Sequence, residues 1–307
     1  MTLTNQKVQQ VANLVIKRME DVGTDWLKPF GGHTKQGNYS LPHNLQGRNY
    51  SGINLFWLQM FNPYPCNTWA TFKQINGAGG RVLKGETATP VFYYGTHITT
   101  KEGEDGKKFN EGYKFLKSYN VFNLEQTTLN AEDFKQKNNK PKSLVEKIAG
   151  VDEYIKNTKA IIKHTEAGRC YYVPSMDYIN MSPLDTWKST ADQTKQEAYY
   201  STILHELVHW TGHKSRIDRL DNGSKKCLSY AQEELVAELG SAILSNILQI
   251  AKKPSDQHAK YLNGWIADIK DKPKALFTAM AHAQKAINFI DELQPKAESQ
   301  KDVKAVA

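Results

Sequence analysis

Cysteine is scarce in this chain: three residues in 307, at Cys66, Cys170 and Cys227, far apart and in no Cys-x-x-Cys pair. That spacing excludes a disulfide framework and a thiolate zinc site, and a reducing cytoplasm is the expected compartment. Also missing is any apolar run near the roughly 18–20 residues that a membrane span needs. The stretch from Met1 to Asp21 alternates apolar and polar residues at helical spacing and has neither the apolar core nor the cleavage site of a secretory signal. Acidic charge is in deficit, with 32 Asp and Glu against 40 Lys and Arg. The deficit is uneven: residues 1–140 hold 17 basic and 11 acidic side chains, the remainder 23 and 21. A basic excess points to a polyanionic partner through counterion release. On charge alone a merely soluble basic surface is an equal alternative.

The length predicts two cores. Gln136 to Ser143, polar, basic and interrupted by Pro141, has the composition of a linker, so the expected domains are 1–140 and 141–307. In the first, a helix ends near Gly23, a Gly/Pro/Asn-rich region from 29 to 49 leads to a buried helix at INLFWLQM, and aromatic and branched runs at 91–98 and 113–124 predict a long hairpin. In the second, a helix over LVEKIAGVDEYIKNTK precedes short strands, a helix from Thr194 to Trp210 stopped at Gly212, and helices near 229–250, 255–270 and 273–293. The fold class is α+β: an N-terminal α+β domain and a C-terminal, mainly helical domain with a small β-sheet.

Within the Thr194–Trp210 helix, His205 and His209 lie about 40° apart on one face, one turn from each other, so both imidazoles can reach one ion. Glu206, beside the first, is the residue that deprotonates the attacking water in H-E-x-x-H sites. Leu204, Leu207, Val208 and Trp210 make this helix too apolar for a solvated surface element, and a buried unpaired Glu between two His is costly. One zinc ion removes that cost. A catalytic zinc takes three protein ligands and a water. His213 is the tempting third, but on a continuous helix it lies about 12 Å from His205. In YAQEELVAELGSAIL, Glu234 and Glu238 sit four apart amid apolar residues. Glu234 is assigned to the metal and Glu238 to orienting a histidine, with the reverse as the alternative, and Glu233 is expected to be a surface charge. The strands around YYVPSMDYINM offer an edge for an extended peptide.

The first half interleaves aromatic, amide and basic groups: Trp26, Lys28, Asn44, Arg48, Tyr50, Asn54, Trp69, Lys73, Gln74, Arg81 and Lys84. Such mixtures suit single-stranded nucleic acid, where bases stack on rings and cations track phosphates. The competing reading puts most of these aromatics in the core, with Phe56 and Trp57 foremost. The loops PHNLQGRNYSG and GRVLKGE are the expected contact segments.

These residues also form patterns. Trp26 with Lys28 and Pro29, Pro42 with Asn44, Arg48-x-Tyr50-x-Gly52-x-Asn54, Trp69-x-Thr71-x-x-Gln74 and Gly80-x-Val82-x-Lys84-Gly85 are followed by HELVHWTGH at 205–213, EELVAELG at 233–240, Tyr261 with Trp265, and AQKAINFI at 283–290. In this order the chain resembles, over nearly its whole length, the ArdC-type antirestriction proteins of plasmids and other mobile elements. The resemblance implies an N-terminal single-stranded-DNA-binding domain, a C-terminal zincin-like metallopeptidase domain, and a role in shielding incoming DNA from host restriction. The chain departs from the pattern at 95–118, where the charged hairpin is longer. Three functions compete: a DNA-coating protein with a structural metal site, a DNA-dependent zinc peptidase acting on protein substrates, and a plain cytoplasmic zinc peptidase.

Overall fold

A computed structural model describes residues 2–27, 40–102, 108–134, 142–166, 168–220, 228–251 and 259–295. The chain divides into two compact units, residues 1–141 with 254–281, and residues 142–253 with 282–307. Residues 254–281 cluster with the first unit, so this division falls near Pro141, in the linker-like segment, and again inside the last helix, where linker composition gives no signal.

In the first unit, helix α1 (Leu3–Val22) is capped by the Thr2 hydroxyl and ends at Gly23, and it buries Val8, Val11, Val15 and Met19 on one stripe. The chain then turns Trp26 inward, where the Arg18 Nε donates to the Trp26 carbonyl at 2.9 Å and Phe56 meets the indole edge-on at 6.0 Å. Helix α2 (Gly52–Met60) is apolar on nearly every side and correspondingly buried. A mixed sheet has the order β1-β2-β4-β3, from β1 (His43–Asn44), β2 (Thr68–Ala70), β3 (Thr89–Glu102) and β4 (Lys108–Asn123). Short helix α3 (Phe72–Gly77) opens on a Thr71/Gln74 capping box and packs Ile75 against Cys66, Ala70 and Leu124. Helix α7 (Ala259–Asp271) lies along α1, tied by a Lys270–Glu20 ion pair at 2.6 Å.

The second unit opens with α4 (Leu144–Asn157), started by a Ser143/Glu146 capping box. A three-stranded sheet of order β5-β7-β6 follows, from β5 (Ile161–Lys163), β6 (Tyr171–Val173) and β7 (Tyr178–Asn180). The fully buried Asn180 holds the β5–β6 loop, accepting from the amides of Thr165 and Glu166 and donating to the carbonyls of Glu166 and Arg169. Helices α5 (Lys195–Thr211) and α6 (Tyr230–Ile247) form the core pair, and α8 (Lys274–Glu292) reaches α4 through Tyr154 and Asp291 at 2.6 Å. The α5–α6 pair is close because Gly240 faces Val208: a Cβ there would sit 2.9 Å from Val208 Cγ2. The α+β, two-domain expectation holds. Among the described residues, no helix is long and apolar enough to cross a membrane.

Candidate metal centre

Helix α5 is capped by Thr194 and Glu197, and from Ile203 to Thr211 every residue is buried. Helix α6 is buried continuously from Glu233 to Asn246. Polar side chains in such helices need internal partners, since burying them unpaired costs several kcal/mol. The partners are found across the α5–α6 crossing. His205 Nε2 and His209 Nε2 face each other at 3.2 Å. The Glu234 carboxylate faces both, with Oε2 3.6 Å from His205 Nε2 and Oε1 3.7 Å from His209 Nε2. Nitrogen and oxygen ligands bound tetrahedrally at 2.0–2.1 Å lie roughly 3.3 Å apart. The three groups therefore fit a single tetrahedral ion within a few tenths of an ångström, and all three are buried.

The far sides of the two imidazoles are also engaged. His209 Nδ1 donates to Glu233 Oε1 at 3.0 Å, which leaves Nε2 as the ring's lone-pair nitrogen on the side shared with His205 and Glu234. His205 Nδ1 lies 3.6 Å from Glu238 Oε2. Glu233 corrects the expected surface charge: it is 4% exposed and receives Arg219 through Nε at 2.7 Å and Nη2 at 2.9 Å. Arg219 is itself 1% exposed and also donates to Thr211 Oγ1 at 2.8 Å and to the Val208 carbonyl. Sequence reasoning missed this clamp because it placed Glu233 by helical angle. The signal was the run ELVAELGSAIL, so apolar that no face of that helix could stay in water. His213 stands outside the cluster, its Nδ1 paired with Ser215 in the turn after α5.

Burial alone would lower the His205 pKa, but Glu234, Glu238 and Glu206 outweigh it and push it up to about 9. Burial would raise Glu234, yet His205 and His209 hold it down to about 2. Glu233 is likewise held below the usual carboxylate range against its burial, by His209 and Arg219. The signs follow. Glu233 and Glu234 contribute stability that is present above their ordinary value near 4.5 and lost as pH falls through their folded values. His205 contributes stability fully present below 6.5 and lost as pH rises toward about 9. In chelator, the melting temperature is therefore expected to decline between pH 6.5 and 9, and saturating divalent metal should remove that decline by standing in place of the proton. A flat alkaline profile in chelator would contradict this.

Glu206 is buried next to His205 on α5 and lies close enough to Cys170 to raise its thiol pKa, secondary to the larger effect of burial. Cys170 leads into β6, which is an edge strand of its sheet among the described residues, so the carboxylate, the thiol and that strand are neighbours. Beside them, Arg216 lies over the Trp210 ring at 3.9 Å and forms a two-pronged ion pair with Asp177, whose other partner is the Tyr172 hydroxyl at 2.8 Å. This second polar cluster fixes the β6–β7 turn against the end of α5, and nothing in the residue spacing announced it.

The residues proposed for DNA contact separate into two groups. Trp26 and Trp69 are each 1% exposed and form the core, so neither ring is open to a base, a correction to the sequence reading. Asn54 is a staple between α2 and β3, its amide donating to the Phe92 carbonyl at 2.7 Å and accepting from the Phe92 amide at 2.8 Å. Asn44 closes its loop by accepting from the amides of Gln46 and Arg48 at 3.0 Å, Gln74 completes the α3 cap, and burial pushes the Tyr50 hydroxyl up to about 12. Arg48, Lys73, Arg81 and Lys84 are exposed. Lys28 lies outside the described residues.

Both halves match known families in the same order. A model of the N-terminal domain of anti-restriction factor ArdC matches residues 5–122, and one of a zincin-like metallopeptidase, MPTase-PolyVal, matches residues 149–282. DNA primase TraC of Escherichia coli is 31% identical over 301 residues, 94% of this chain, although the chain spans only 27% of that protein's length. The metal-free crystal structure of the antirestriction protein ArdC from plasmid R388 shares 32% identity and a TM-score of 0.71, covering 93% of this chain and 97% of that one. The Mn(II)-bound structure of the same protein shares 31% identity with a TM-score of 0.68, covering 95% and 98%. A likeness that runs through both units, at that identity and from end to end of the solved chain, places this protein in the ArdC family of antirestriction proteins.

Proposed function

We propose that this protein binds single-stranded DNA through its N-terminal unit, carries one zinc ion in a metallopeptidase-type site in its C-terminal unit, and protects incoming mobile-element DNA from host restriction. The observation that carries the metal half is the convergence of His205, His209 and Glu234 with ligand atoms within 4.8 Å of one another. The R388 relative's Mn(II)-bound form supports a divalent ion, and two imidazoles with one carboxylate is a ligand set that zinc takes in hydrolytic sites. Glu238 and the Glu233–Arg219 pair would hold the two rings in the ligating tautomer. A zinc ion so held supplies Lewis acidity toward a carbonyl and lowers the pKa of a water. Glu206 would accept the proton of the attacking water on its carboxylate and hand it to the leaving amine. The β6 edge would pair with an extended peptide and present its carbonyl to the site.

The DNA half is supported by the family of the N-terminal domain and by the basic excess of residues 1–140. Its test is a fluorescence-anisotropy titration of labelled single-stranded and duplex DNA with the full chain at several salt concentrations. Tighter binding to the single strand is expected, with affinity falling linearly on a log–log salt plot at about 0.7 per phosphate contact. No binding, or binding indifferent to salt, would remove the reading.

The intact Glu206 favours a second reading, a peptidase that DNA recruits to its protein substrates, DNA supplying effective concentration in place of affinity.

A further inference from the structure

The hairpin of β3 and β4 extends well beyond the sheet that anchors it. The two strands pair from Thr89 opposite Val121 out to Glu102 opposite Lys108, whereas β2 pairs with β4 only at Phe122 and Asn123. Outward from Tyr93 the ribbon is two-stranded. Side chains alternate across it, so Tyr93, Gly95 and His97 share a face with their opposites Lys117, Phe115 and Tyr113. That face is a row of rings in mutual contact. Tyr93 and Phe115 centroids are 6.1 Å apart, Phe115 and Tyr113 6.4 Å, and Tyr113 and His97 5.2 Å. Tyr93 is 54% exposed and Tyr113 63%.

Two details show how the row is built. Gly95 has no side chain to stand between the rings, and Phe115 lies across it: a Cβ at Gly95 would be 2.3 Å from Phe115 Cζ. The ring is thereby laid along the strand. Lys117 reaches over the same ring, its Nζ 5.0 Å from the centroid. By register Lys101 and Lys117 share the ring face, Lys114 lies on the other, and Glu111, opposite Thr99, comes next after Tyr113 toward the tip. The ring contacts help to hold the two-stranded ribbon together, and the ring faces that Tyr93 and Tyr113 still leave in solvent are surface a partner can cover.

We propose that this face of the hairpin is a stacking platform for single-stranded DNA, with successive bases against Tyr93, Phe115 and Tyr113 and Lys117 beside the phosphates. It rests on the reading that the N-terminal unit binds single-stranded DNA, and it moves the stacking function from the buried Trp26 and Trp69 to the ribbon. The Lys117 cation beside the rings suits a polyanion, and rings about 6 Å apart in a row offer one face per base.

The test is anisotropy titration of labelled oligo(dT) with the full-length protein, its Tyr93→Ala, Tyr113→Ala, Tyr113→Trp and Lys117→Ala variants, and the Tyr93→Ala/Tyr113→Ala double variant, over a range of salt. Each Tyr→Ala change should weaken binding about tenfold without altering the salt slope, and Tyr113→Trp should bind at least as tightly as the original. Lys117→Ala should reduce the slope by about 0.7. If the unaltered protein binds and the double Tyr variant binds equally well, the platform lies elsewhere while the DNA-binding reading stands. A loss of binding in Tyr113→Trp also overturns the platform. If the unaltered protein does not bind, both fall together.

Discussion

Glu206→Gln is expected to leave the affinity for zinc near its original value while lowering protein hydrolysis at least a hundredfold. The substitution keeps the shape of the side chain and its place beside His205, and it leaves the two imidazoles and the Glu234 carboxylate untouched. What it removes is the only function assigned to that carboxylate, the acceptance and return of a proton. General acid–base groups of this kind contribute about 10²–10⁴ in rate. The measurement is cleavage of a labelled, partly unfolded protein with and without single-stranded DNA, beside a zinc competition titration. Equal rates for the two proteins would contradict the role of Glu206, and loss of zinc from the variant would make it a ligand instead.

The second large effect falls on stability. Arg219→Met should lower the melting temperature by on the order of 10 °C, because it leaves Glu233 ionised, buried and without its guanidinium. Breaking a buried ion pair from one side costs about 3–5 kcal/mol, whereas removing both charges can be nearly neutral. The double variant Arg219→Met/Glu233→Gln should therefore recover much of the loss. Zinc affinity should fall about 10–100-fold in the single variant, since Glu233 would no longer hold the His209 ring in its ligating tautomer. Arg219→Lys should lie between the two: it keeps the charge but loses the fork that spans Glu233, Thr211 and Val208. Thermal melts with and without metal check these expectations, and a double variant no more stable than the single one would contradict them.

How far the site was legible depended on what each residue's neighbours reveal. His205, Glu206 and His209 could be placed because helical spacing is a local property, and Glu234 because it had to cross from one apolar helix to the next. Arg219 could not, since it follows α5 by eight residues and reaches Glu233 through a tertiary turn. In the first half, the motifs that carry the resemblance are largely structural: Trp69-x-Thr71-x-x-Gln74 seats a core ring and caps α3, and Asn54 ties α2 to β3. Local composition cannot separate a Trp that stacks on a base from one that fills a core, because both need the same apolar area. The hairpin was legible as strands, but its ring row required the pairing register, which sets Tyr93 and Phe115 on one face.

The central claim is that His205, His209 and Glu234 hold one ion while Glu238 supports from behind. It is tested most directly by zinc stoichiometry and affinity in the intact protein, in Glu234→Ala and in Glu238→Ala. One ion per chain is expected, lost or weakened by several orders of magnitude in Glu234→Ala and weakened only about 10–100-fold in Glu238→Ala. Undiminished binding in Glu234→Ala, or the opposite ranking of the two variants, would contradict the account.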